Sequence, residues 1–222
     1  MGKRELAEKI EFEKAVGLQG DLKGSLISIL KFVLSAILLP LVIGITKGFL
    51  REVRGQPTYI LKNFIYATAT YLILHIFVCE PKSLYDFGQR IIGRIFSFFV
   101  PLRRTMYYCL PFYTTLFFIL YFIFKALVGY SHIIGYFMFL ISFSAIMHVI
   151  ITSVYLKGES QDALKGDYFL SLSFVYLLGV ILICSFLSLM LEGFSFVDPI
   201  KYGYKFFADT HISIWRQFFV VK

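Results

Sequence analysis

The stretch from Ser25 to Thr46, SLISILKFVLSAILLPLVIGIT, holds a single charged residue, Lys31, and it limits what the chain can become. A helix rises about 1.5 Å per residue, so a run of roughly twenty apolar residues matches the ~30 Å hydrocarbon core of a bilayer. Four more such runs follow it. Inside hydrocarbon no water bonds to an exposed peptide group, so a spanning segment must close its own backbone bonds, as a helix does. The regular alternation that marks a membrane barrel is absent. The pattern predicts an all-α fold: a polytopic integral membrane helical bundle of about five transmembrane helices, with interfacial amphipathic helices beside them.

The spans are expected at about 24–46, 59–78, 106–126, 133–155 and 168–191, within a membrane domain of 24–191. Residues 1–23 read as a charged N-terminal segment that stays cytoplasmic, and 192–222 as an aromatic amphipathic tail. Composition agrees, since 58% of the residues are hydrophobic and 16% charged, against about a quarter charged in a soluble domain. Tyr107, Tyr108, Tyr113, Tyr130 and Tyr168 crowd the predicted ends, where rings favour the headgroup level. Lys31 lies about two turns inside the first span and its stem reaches back to the headgroups, while Pro40 removes one backbone bond.

The formal net charge is +8, and the bases cluster at the ends of apolar runs rather than in one block. That placement favours anionic lipid headgroups as the partner and no nucleic acid. Cys79, Cys109 and Cys184 are odd in number and lack CxxC spacing, so neither a disulfide framework nor a metal site is expected. Lys and Arg are more frequent in the N-terminal, second and fourth connecting segments, which predicts a cytoplasmic N-terminus and an outer C-terminus. Both flanks of the first run are basic, so a re-entrant first segment also fits. The lone Asn63 precedes Phe-Ile and offers no glycosylation acceptor, in keeping with a bacterial inner membrane.

Between the second and third runs lies SLYDFGQRIIGRIFSFFVPLRR, Ser83 to Arg104. Leu84, Phe87, Ile91, Ile92, Ile95, Phe96 and Phe99 recur at helical spacing, with Asp86, Gln89, Arg90, Gly93, Arg94 and Ser97 opposite. Crossing the bilayer would bury Arg90 and Arg94, whereas lying in the interface lets them meet phosphates. An interfacial helix is therefore expected over about 83–100. Arg90, Arg94, Arg103 and Arg104 are its candidate contacts to a lipid headgroup or an acidic partner chain. The helix lacks the two His and the Glu of a metalloprotease helix.

No Ser, Cys or phosphate-binding motif appears elsewhere, and no catalytic residue, metal or cofactor is predicted. The sharpest intramembrane group is His148, with Ser144 one turn before it and Thr152 one turn after, all on one face. An imidazole there can relay protons or bind metal, or simply tie helices together. A haem held with His75 is disfavoured by their different depths. The carboxylates Glu80, Glu159, Asp162, Asp167 and Glu192 all sit at span ends or in loops. In the tail, Phe207, Ile214, Trp215, Phe218 and Phe219, joined by His211, form a stripe expected to lie on the membrane or dock on a partner.

From Arg103 onward, RRTMYYCLPFYTTLFFILYFIF followed by GYFMFLISFSAIMHVIITSVYLKGESQDALKGDYFLSLSFVYLL resembles the Yip family of small five-span membrane proteins. The likeness rests on Tyr108, Pro111 and the Ala163-Leu164-Lys165 loop and covers about 70 to 90 residues. It implies a non-enzymatic membrane adaptor, although the tail runs about thirty residues beyond the family's usual end. Together these readings point to a non-enzymatic integral membrane subunit, an anchor or adaptor bound to other membrane protein subunits. The competing expectation is a permease-like component moving lipid or a small hydrophobic solute.

Overall fold

A computed structural model describes residues 3–77, 81–97, 108–128, 130–159 and 166–219, with side chains from Gly24 onward apart from a few helix-end positions. Seven helices are described: α1 (Lys3–Arg54), α2 (Thr58–Phe77), α3 (Lys82–Ile95), α4 (Phe112–Val128), α5 (Tyr130–Glu159), α6 (Gly166–Met190) and α7 (Val197–Phe219). The protein is an all-helical bundle. Gly24–Arg54, Thr58–Phe77, Ile133–Gly158 and Gly166–Met190 are long and apolar enough to cross a membrane, and Phe112–Leu127 is a shorter apolar helix. It is thus a multi-pass integral membrane protein.

Several boundaries differ from the sequence expectation. The helix of the first span does not stop at 46: α1 runs unbroken through KGFLREVR to Arg54 and, at its other end, back to Lys3. Gly48 alone does not stop a helix, and the stop comes at Gly55-Gln56-Pro57, where Gly55 N–H donates to Arg51 O at 3.1 Å. The α4 helix starts at Phe112, after Pro111, rather than at 106. Likewise α3 ends at Ile95 rather than near 100. The tail is a helix with its own start signals. Gly193 takes φ 80 and closes the α6 end, Ser195 Oγ accepts from Asp198 N–H at 3.1 Å, and Pro199 sits in the first turn.

Pairwise contacts fix the directions. Along α1, Phe32 meets Phe169 and Thr46 meets Tyr176, so α6 runs parallel to α1. Gly48 lies against Pro199, Gly44 against Gly203, and Ile37 against His211, so α7 returns antiparallel along the apolar part of α1. On the other half, Asn63 lies by Gly135 and Tyr71 by Phe143, making α2 and α5 parallel. Thr114 meets Ser144 and Tyr121 meets Phe137, so α4 opposes α5. One end of the bundle, here the proximal end, holds the Gly24 side of α1, α3, the start of α6 and the end of α7. The distal end holds the α1–α2 and α6–α7 turns.

Two units result, α1 with α6 and α7, and α2 with α4 and α5, joined through α5–α6 contacts. Their shared core includes Ile60, Tyr121, Ile134, Met138 and Leu187, each at most 1% exposed, and the Phe118 and Phe186 rings stack with centroids 4.1 Å apart. The outer faces carry exposed Leu26, Leu30, Ile73, Ile76, Leu178 and Leu189. Such a belt would aggregate in water and is at rest against acyl chains.

Candidate functional site

The face of α5 bearing Ser144, His148 and Thr152 meets α3 and α4 at the proximal end. All three are buried, at 2%, 4% and 0% exposure. Each has a partner on another segment. Ser144 Oγ–H donates to Ile141 O at 3.0 Å, so its lone pair is what accepts from Thr114 Oγ1, also at 3.0 Å. The His148 Nε2–H donates to the Tyr108 carbonyl at 3.0 Å, which fixes the tautomer because a carbonyl only accepts. Thr152 Oγ1 shares a 2.7 Å bond with Tyr85 OH. One turn on, Tyr155 OH donates to Asp86 Oδ1 at 2.7 Å.

The stripe is a zipper of ties. In hydrocarbon a side-chain bond between helices contributes about 0.6 kcal/mol on average and rarely above ~1.7. Four such ties at one end fix α3 and the start of α4 on α5. The Tyr85 ring also lies 5.7 Å from His148 and 5.6 Å from Tyr155, centroid to centroid, closing the site from the membrane surface. Tyr85 and Tyr155 were not singled out from sequence, and Asp86 was read only as part of the polar face of α3, because a partner on a distant helix leaves no local pattern. Among the described residues no three His, Cys, Asp or Glu converge as a metal site.

The interfacial helix carries three faces rather than two. Tyr85, Gly88, Gln89 and Ile92 turn into the bundle. Leu84, Phe87 and Ile95 are exposed on the apolar side, and Arg90 and Arg94 are exposed beside them. Gln89, expected with the arginines, is instead 1% exposed, with Oε1 lacking a bond, and Ile92 faces protein rather than lipid. The reason is Gly88: a Cβ there would come within 2.9 Å of Phe112 Cδ1, so only glycine brings the backbone this close to α4 and carries its neighbours inward. Arg103, Arg104 and the Ala163–Lys165 loop lie outside the described residues.

The tail stripe divides as well. Phe207 and His211 are half-buried against α1, where His211 Nε2–H donates to Ile37 O at 3.1 Å in the turn loosened by Pro40. Ile214, Trp215, Phe218 and Phe219 remain exposed, at 44%, 60%, 78% and 64%. The sequence reading also missed Gly44-Ile-Thr-Lys-Gly48 against Pro199 and Gly203, although the small-xxx-small spacing in an apolar run was its signal.

Two clefts complete the picture. A cavity of about 190 Å³ between the two units is lined by Phe49, Phe64, Ala145, Ile146, Ile183 and the bonded Thr46–Tyr176 hydroxyls. A polar cleft of about 330 Å³ at the distal end lies among Arg51, Glu52, Asp198, Lys201, Tyr202 and Lys205. At the proximal end Lys31 is paired with Asp167, a partner its snorkelling stem did not need. Comparison of the chain with family models, curated proteins and solved structures returns no match.

Proposed function

We propose that the protein is a non-enzymatic integral membrane subunit, an anchor or adaptor that holds another membrane protein at its proximal end. The observation that carries this is the gathering of docking elements at that one end. There α1 continues about twenty residues beyond Gly24, roughly 30 Å of helix. At the same end are the exposed Arg90 and Arg94 of α3 and the exposed Trp215 and Phe218 of α7. Aromatic and arginine side chains together are the usual anchors of protein interfaces. The buried polar stripe on α5 is consistent with scaffolding, since each of its groups is spent on a tie. The resemblance to the Yip family supports the same reading.

With α7 laid along α1, we read six traversals instead of five and place both described ends on one side. This moves Arg216 to the N-terminal side and strengthens the excess of bases there, as expected for a cytoplasmic face. Anionic headgroups serve as the lipid contact of α3. A bacterial inner membrane remains the location this reading favours.

The test is native purification in a mild detergent followed by intact-mass measurement. A complex with a second kind of chain is expected, and it should be lost when Arg90 and Arg94 are both changed to Glu or residues 1–23 are removed. Retention of the complex by both variants, or a mass showing this chain alone, refutes the reading. A second reading, a permease-like component for lipid or a small hydrophobic solute, is favoured by the apolar cavity between the units; Ala145→Phe would fill it and abolish transport.

A further inference from the structure

The outward face of α7 presents an electrostatic problem. Lys201, Lys205, Asp209, Ile212 and Arg216 are all exposed and recur at i, i+4, i+8, i+11 and i+15, opposite the Gly203 face that packs on α1. Depth can be read from α1. Lys31 marks the proximal headgroup level and Lys47 the distal one, about 24 Å apart by helical rise. Gly203 lies opposite Gly44, and His211 bonds Ile37, so Asp209 stands opposite about Leu39. It is then about 12 Å from either level.

A lysine this deep extends its stem toward the headgroups, but an aspartate is too short to do so. With α7 read as a traversal, a charged carboxylate on its outer face is stabilised by a cation beside it in the membrane. Lys205, one turn away on the same helix, is the nearest candidate. Its order is unfavourable, however, because a base N-terminal to an acid at i, i+4 is the weaker arrangement within one helix. No ion pair joins the two side chains among the described residues.

We infer that α7 is a self-association face, on which Lys205 of each copy pairs with Asp209 of a second copy. Copies of one membrane protein insert the same way up, so a two-fold axis along the bilayer normal sets α7 against α7 in parallel. An isologous contact repeats each pair twice: if Lys205 meets Asp209 of the second copy, its own Asp209 meets the second Lys205. The axial offset is about 6 Å, within the reach of a lysine stem across helices 8–10 Å apart. Ile212, at 50% exposure, supplies apolar contact on the same stripe. The stripe is thus complementary to itself with the two helices in register, through two diagonal pairs that each span one turn. The inference rests on the reading of α7 as a traversal but not on the adaptor reading.

Charge reversal tests it. Two differently tagged copies are co-expressed in one membrane, with the three native cysteines replaced and Ile212→Cys added as a reporter of disulfide-linked dimer. The parent should cross-link and co-purify. Lys205→Asp alone or Asp209→Lys alone should lower dimer at least tenfold, since each sets like charges against each other. Co-expressing the two single variants should restore dimer to within about twofold of the parent, because acids on one chain then face bases on the other.

No rescue in the mixed membrane overturns the proposal, as does a parent that fails to cross-link or a native mass with one copy per complex. Should either reversed chain fail to insert, Asp209→Asn decides, with Trp215 fluorescence reporting its fold: parent-level cross-linking in that variant also overturns it. Dimer that survives Arg90→Glu, Arg94→Glu and loss of residues 1–23 separates this face from the proximal one.

Discussion

Substituting Gly44 by Ala should push α7 off α1, and the size of the effect follows from the backbone contacts. A Cβ at Gly44 would lie 2.9 Å from both Gly203 Cα and Phe206 Cβ, and one at Gly48 would lie 2.7 Å from Pro199 Cα and 2.9 Å from Pro199 O. Carbon atoms rest at about 3.5–4.0 Å, so the axes must part by roughly 0.6–1 Å. A gap of that size forfeits a quarter to a half of each atom pair's attraction along the interface. Overpacking of this kind costs about 1–3 kcal/mol, offset by the ~1 kcal/mol that Ala gains over Gly in a helix.

Because the atoms met at Gly44 are Gly203 Cα and Phe206 Cβ, which cannot swing aside, the upper part of that range, about 2–3 kcal/mol, applies, and a net loss of about 1–2 kcal/mol is expected for Gly44→Ala, or roughly 2–8 °C in melting temperature for a chain this size. The single tryptophan, Trp215 on α7, makes fluorescence in mild detergent the natural assay. Because one separation relieves both clashes, Gly44→Ala with Gly48→Ala should cost less than the two added. The control is Gly179→Ala in α6, where a Cβ meets nothing within 4 Å and helix propensity alone should hold or raise stability. Full stability in Gly44→Ala, or strict additivity of the pair, would refute the close-packing account.

Other outcomes follow from the remaining contacts. A double-mutant cycle of Tyr85→Phe and Thr152→Val should give a coupling of about 0.5–1.7 kcal/mol in detergent unfolding; zero coupling removes the tie from the zipper. Lys31→Met should cost less than about 1 kcal/mol, because its pair with Asp167 is 35% and 47% exposed, and the loss should shrink further in high salt. Glu52→Ala removes the acceptor of Ser195 N–H, 3.1 Å away, and should speed amide exchange at Ser195 while leaving α6 protected.

The α5 stripe was legible as a face, since Ser144, His148 and Thr152 fall one turn apart, but its role was not. Whether a buried histidine relays protons or holds a carbonyl depends on what stands opposite, and Tyr108, Tyr85 and Thr114 come from segments 30 to 67 residues away. The α3 helix was legible as amphipathic, yet a periodicity argument knows two faces. A third, turned into the bundle, exists because Gly88 lets α4 approach.

Apolar run length, by itself, determined the membrane class, the helical fold and the approximate place of the spans, because a bilayer forces backbone bonds to close locally and makes hydrophobicity a matter of counting. The fate of residues 192–219 was decided only in three dimensions. Five charged residues hide α7 from any hydropathy count, and it lies along α1 because Gly44, Gly48 and Gly203 remove the side chains that would keep two backbones apart. Close approach is a property of two surfaces together, and one strand of sequence carries only half of each.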